Sequence, residues 1–240
     1  MTLNGVDRWR FRDRQRLLNG FDRIRRDIDV TRGLDGLDLF NQRAFDLVTS
    51  AKMCDAMDLS GVDPTVAARY GPNNPELVPD FNAAPGMTDD LLTARRLIEA
   101  GARCVTVSFG AWDWHVTNFT GHRSQLPCFD RGISGLVNDL HDRGLDRDVM
   151  VVALGEFGRD HWPDCWSIAL AGCGIKRGAI IGETSKDGAF VNGEGYDIGH
   201  LFHTIFTLLG INPRKTRYRH KGQKLAIAHD DCEPIKEVML

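Results

Sequence analysis

The chain has 240 residues, 42% of them hydrophobic and 26% charged, with a formal net charge of −3. These are ordinary values for a globular protein long enough to bury a real core, and they exclude a surface that is polyanion-binding overall. No run of ~18 apolar residues is present to cross a bilayer and the N-terminus has no apolar signal-peptide core, so no membrane contact is expected. The compartment expected for the chain as written is the cytoplasm.

Residues 7–29 read as an amphipathic helix, with Trp9, Leu17, Leu18, Phe21, Ile24 and Ile28 recurring at three- and four-residue spacing. Its many arginines alternate with Asp7, Asp13, Asp22, Asp27 and Asp29. That interleaving fits a salt-bridged helix better than a nucleic-acid arm, and no nucleic-acid partner is expected. A second helix is expected over 35–50, after the Gly33–Gly36 break. The segment 1–60 thus reads as a helical hairpin or cap. Residues 61–87 are rich in Pro and Gly and read as a loop that bounds it. Thr88 then fits an N-cap, with Asp89 and Asp90 in the first turn and Gly101 as the stop.

The remainder, 88–240, reads as an α/β core. Apolar runs at 103–109 and 149–154 flank a helix at about 129–143, which predicts a β-α-β unit with parallel strands. Residues 166–170 read as a further strand and 179–181 as a weaker one. Gly172 to Gly178 reads as a tight turn, since the phosphate-loop pattern is absent. Asp197 caps a last helix that Gly210 ends, and 214–240 reads as irregular structure or a short hairpin. On that helix His200 and His203 share a face with Thr204 and Thr207, which is expected to be the solvated one, with a further metal ligand there as the lesser alternative. His122, His141, His220 and His229 have no partner pattern and read as surface residues.

The six cysteines include no CxxC pair and are expected to be reduced. Cys104 lies in an apolar run and is expected to be buried, while Cys165 and Cys173 are a weak metal candidate.

Chemistry concentrates after the two apolar runs. Trp112-Asp113-Trp114-His115 follows the first, and Gly155-Glu156-Phe157-Gly158-Arg159-Asp160-His161-Trp162-Pro163 follows the second. In open α/β sheets ligands bind beyond the carboxyl ends of strands. In an extended segment Asp113 and His115 point the same way, with Trp112 and Trp114 packing on the other side. Carboxylates and imidazoles suit Zn, Mn or Fe. The candidate metal ligands are Asp113, His115, Glu156, Asp160 and His161, with Asp160 either ligating or orienting His161. Glu156 and Arg159 are the candidate catalytic residues: Glu156 as ligand or base, Arg159 on substrate oxyanions or paired with Glu156. Each has an ordinary alternative as a loop, capping or surface residue. No GxSxG or HExxH motif is present, and no Ser or Thr is marked as a nucleophile.

These phrases, with Leu91 to Gly101, Leu170 to Ile175 and Leu209 to Pro213, resemble the DUF1501 family. The resemblance spans nearly the whole chain and is strongest from 88 to 213. That family is placed beside sulfatases and cofactor-independent phosphoglycerate mutases in the alkaline phosphatase-like superfamily. The resemblance implies a three-layer α/β/α sandwich with a metal site at the strand ends. Asp113 and His115 resemble its first ligand pair, Glu156 the acidic member of the second, and His161 the later His, while Phe157 stands where a further ligand would be. Members usually carry a longer insert before the Arg-Asp-His run, and begin with a strand bearing a metal-binding Asp and the nucleophile region. This chain resembles a member that starts after both, with an incomplete first strand region. The implied activity is hydrolysis of a small phosphate or sulfate ester with a divalent metal, zinc first and Mn, Ca or Fe as alternatives. The rival expectation is a non-catalytic remnant or partner-binding protein that keeps the fold. An unpaired sheet edge would favour homo-oligomers, and a missing N-terminus could have carried an export signal.

Overall fold

The structure, a computed structural model, describes Trp9 and residues 50–75, 86–110, 112, 118–155, 162–193 and 195–240. The helices expected at 7–29 and 35–50 fall outside the described residues, save for Trp9 and Ser50. The fold is mixed α/β, with five α-helices and three small antiparallel sheets among the described residues. The chain divides into two compact units, Met1–Leu136 and Val137–Leu240.

In the first unit, α1 (Ala51–Met57) and α2 (Pro64–Tyr70) both pack on α3 (Thr88–Glu99). The segment expected to be all loop therefore contains α2. Its local cause is plain: Asp63 accepts a hydrogen bond from Thr65 N at 2.8 Å, and Pro64 occupies the first turn, where its missing N–H costs nothing. The cap of α3 is Met87, one residue before the expected Thr88. Thr88 instead is fully buried and donates its hydroxyl to Gly71 O at 2.8 Å, tying the end of α2 to the start of α3. Arg96 donates from Nε to Ala56 O at 2.9 Å and from Nη2 to Asp58 O at 3.1 Å, so it satisfies carbonyls that the end of α1 leaves open.

α4 (Asn118–Asp142) starts well before the expected 129 and carries Pro127 inside it. Gly132 and Gly135 let it approach its neighbours. A Cβ at 132 would lie 2.7 Å from Leu91 Cδ1, and one at 135 would lie 2.6 Å from Arg69 O. Tyr70 is fully buried against this approach.

In the second unit, β1 (Met150–Leu154) pairs with β2 (Ile168–Gly172) in antiparallel register from Met150↔Gly172 to Leu154↔Ile168. This corrects the parallel β-α-β expectation. Residues 104–109 form no strand. Val105, Val107 and Phe109 are half-buried and alternate with exposed Cys104, Thr106 and Ser108, yet no ladder partner flanks them among the described residues. Cys104 is accordingly exposed, not buried. Residues 179–181 are likewise not a strand; the short pair β3 (Glu183–Thr184) and β4 (Val191–Asn192) follows them. The turn expected at 172–178 is present. Gly172 has φ +77°, and a Cβ there would meet Val149 O at 2.2 Å.

Next comes α5 (Ile198–Leu208), capped by Asp197 as expected, with Gly210 at φ +74° beyond its end. The tail contains the expected hairpin, β5 (Arg217–His220) with β6 (Gln223–Ala226). Its two-residue turn, Lys221-Gly222, has both φ positive, the backbone that joins right-twisted antiparallel strands. The core of this unit includes Leu140, Cys165, Cys173, Leu201, Ala228, Cys232 and Ile235. No helix among the described residues is long and apolar enough to cross a membrane.

Candidate functional site

Asp113, His115, Glu156, Arg159, Asp160 and His161 all lie outside the described residues. Their neighbours are described. Trp112 donates its indole N–H to Phe109 O at 2.6 Å and packs edge-on against Phe129, with ring centroids 5.6 Å apart. Trp112 therefore packs, as its place in the first motif leads one to expect. Glu156 lies two residues past the end of β1. On the far side of that motif Trp162 donates its indole N–H to Ala189 O at 2.7 Å and meets Phe190 edge-on.

The described residues bring together a different set of ligand-type side chains, Asp197, His200 and Cys232. One donor atom from each lies within 4.8 Å of the others. Asp197 is the N-cap of α5. Its Oδ1 accepts from His200 N at 3.1 Å, and its own N–H donates to His200 Nδ1 at 3.2 Å, closing a reciprocal capping box. Oδ1 also lies 2.9 Å from His200 Nδ1 and accepts from the Cys232 thiol at 3.5 Å. The backbone N–H of His200 is the main reason the Asp197 carboxyl is held below its ordinary range. Burial, and then the hydrogen bond and charge of Asp197, push the Cys232 thiol up.

The segment carrying Cys232 is braced on several sides. Thr204 Oγ1 donates to His200 O at 2.8 Å and accepts from Ile235 N at 2.8 Å. His203 Nε2 lies 2.8 Å from His229 O; only a protonated nitrogen can bond a carbonyl, so Nε2 carries the hydrogen. Arg214 donates to Asp230 O and Cys232 O and pairs with Glu233. His203 and Thr204 are at most 1% exposed, whereas Phe202 is 41% exposed. This corrects the expectation for His203, Thr204 and Phe202, while Thr207 is exposed and Leu201 buried as expected. The face with His203 and Thr204 is buried because the 229–235 segment supplies partners for its polar atoms, and Phe202 and Phe206 stack on another face. A cleft lined by His203, Thr207, Asn212, Arg214 and Glu233 adjoins it, but Arg214 is already committed there.

The sequence reading found Asp197 as a cap and held His200 as a minority ligand, but nothing local marked Cys232 as their neighbour. Two of the histidines read as surface residues have partners. His141 Nδ1 lies 2.7 Å from Asp146 Oδ2, and the ring of His122 sits 5.7 Å from that of Trp112. None of the six cysteines is in a disulfide.

Compared with known proteins, residues 2–239 match the family described as Protein of unknown function (DUF1501). The chain belongs to that family. No curated protein and no solved structure matches it. The two motif segments and the Asp197–His200–Cys232 group thus all lie within the DUF1501 match.

Proposed function

We propose that this DUF1501 chain is a metal-dependent hydrolase of small phosphate or sulfate esters, with the three-layer α/β/α sandwich of the alkaline phosphatase-like superfamily. The observation that carries the reading is the grouping of five ligand-type side chains into two short motifs. The second motif begins directly beyond the carboxyl end of β1. The donor set is chemically suited to a transition metal: carboxylates from Asp113, Glu156 and Asp160, imidazoles from His115 and His161. A divalent metal bound there, zinc first, would polarise the ester oxygen or lower the pKa of a bound water. The chain's own residues do the rest. Asp160 orients His161 or ligates beside it, Glu156 ligates or takes a proton, and Arg159 neutralises the oxyanion. A cytoplasmic setting and a small ester as the partner complete the proposal.

The test is turnover of p-nitrophenyl phosphate and p-nitrophenyl sulfate by the full chain reconstituted with Zn or Mn. The expected result is turnover abolished by Asp113→Ala with His161→Ala and lowered about 100-fold or more by Glu156→Gln. No turnover of either ester with either metal would overturn the proposal.

One observation favours the second reading, a non-catalytic protein that keeps a related fold. The described strands pair only antiparallel, and 104–109 has no ladder partner among the described residues, where the superfamily reading expects parallel strands. Metal retained without turnover would fit that reading.

A further inference from the structure

We propose that Asp197, His200 and Cys232 form a binding site for a zinc-class divalent cation, one that cross-links the start of α5 to the 229–235 segment. The site uses none of the residues in the proposed hydrolase motifs, so it stands or falls separately from that activity.

The donor geometry supports it. Zinc bound tetrahedrally by sulfur at about 2.3 Å and by nitrogen or oxygen at about 2.0–2.1 Å spaces its donor atoms about 3.3–3.6 Å apart. Here Asp197 Oδ1 lies 2.9 Å from His200 Nδ1 and 3.5 Å from Cys232 Sγ, and one ligand atom from each residue lies within 4.8 Å of the others. Shifts of a few tenths of an ångström to about one ångström bring them onto a common ion. The capping box turns His200 Nδ1 toward Asp197, and a bound ion would take the lone pair that Nδ1 otherwise offers to the Asp197 N–H.

Room for the sulfur is built into the helix. A Cβ on Gly199 would lie 2.5 Å from Cys232 Sγ, so the absence of a side chain in the first turn of α5 is what admits the thiol. The bonds that Arg214 donates to Cys232 O and that Ile235 N donates to Thr204 Oγ1 hold the segment on either side of the thiol. Pre-positioned donors spend less binding energy on ordering.

The chemistry also selects the ion. A carboxylate and a thiolate together balance a divalent charge. Binding of the cation releases the thiol proton. A mixed O, N and S set favours zinc-class metals over Ca and Mg, which prefer oxygen alone. The Asp197 side chain is 66% exposed, so water can reach the fourth position.

Cobalt(II) titration of the full chain carrying Asp113→Ala and His161→Ala, and of the unmutated chain, tests this proposal. The expected result is a near-ultraviolet thiolate-to-cobalt charge-transfer band in both chains that is displaced by zinc and, in the doubly substituted chain, saturates at one equivalent. The band should persist in Cys165→Ser and vanish in Cys232→Ser. His200→Gln keeps the sulfur and should weaken binding by more than about tenfold, which decides the matter even if Cys232→Ser fails to fold. Absence of the band from both chains would overturn the proposal. So would a band that survives Cys232→Ser, or affinity unchanged by His200→Gln. Failure of ester hydrolysis would leave the band untouched, which separates the two proposals.

Discussion

The thiol of Cys232 donates to Asp197 Oδ1 at 3.5 Å across 35 residues of sequence, and the same oxygen accepts the backbone N–H of His200. One carboxylate oxygen therefore caps α5 and receives the segment that covers that helix. Local helix chemistry and long-range packing meet at a single atom.

Gly199→Ala should destabilise the protein by about 1–3 kcal/mol, because its Cβ would press on Cys232 Sγ at 2.5 Å and Asp197 Oδ1 at 3.0 Å. In an unhindered helix the same change stabilises by about 1 kcal/mol, so the sign alone is diagnostic. Urea midpoints of the two proteins check it, and a stabilised variant would refute the packing described here.

Thr204→Val keeps the side chain's shape but strands the N–H of Ile235, whose partner at 2.8 Å is the Thr204 hydroxyl. The expected cost is about 1–3 kcal/mol, since a buried donor is left unpaired. Thr204→Ser retains the hydroxyl and should recover much of that loss in the same urea titration.

Asp63 offers a pH-dependent contribution in the first unit. The hydroxyl and backbone N–H of Thr65 hold its folded carboxyl below the ordinary range. The unfolded chain therefore takes up the proton first on acidification. The stability that Asp63 contributes is complete above an unfolded pKa of about 3.9 and is lost as pH falls through the lower folded value. Asp63→Ala should lower the unfolding midpoint at pH 7, and the gap to the parent protein should close toward pH 2. A gap that stays constant with pH would contradict the cap.

Gly172→Ala would place a Cβ 2.2 Å from Val149 O at a residue with φ +77°. The β1–β2 pair should loosen, and with it the chain leading into Glu156. Amide hydrogen exchange over 150–154 and 168–172 reads this directly, and unchanged protection would argue against the glycine's role.

Elements with their own start and stop signals were legible in the sequence. Asp197 and Gly210 bracket α5, and Asp89 and Asp90 mark the first turn of α3. Strand pairing was not, because it depends on which segment lies alongside. The apolar run at 103–109 has a strand's alternation without a partner among the described residues, and β1 took β2 as its neighbour. Pro127 removes one ladder bond inside α4, so local signals start that helix later than the structure does. α2 has a sound start signal in Asp63-Pro64, but the many Pro and Gly around it mask the helix in the sequence. On α5 the sequence shows polar residues but not the segment that buries them, and so neither the burial of His203 nor the approach of Cys232 is legible there. The motif residues Asp113, His115, Glu156, Arg159, Asp160 and His161 were legible only as sequence.

The most direct test of the account is the metal content of the purified full chain, by plasma mass spectrometry after reconstitution with zinc. The account predicts two ions per chain, one lost with the Asp113→Ala and His161→Ala pair and the other with Cys232→Ser. A chain that retains no zinc when the metal is supplied would contradict it.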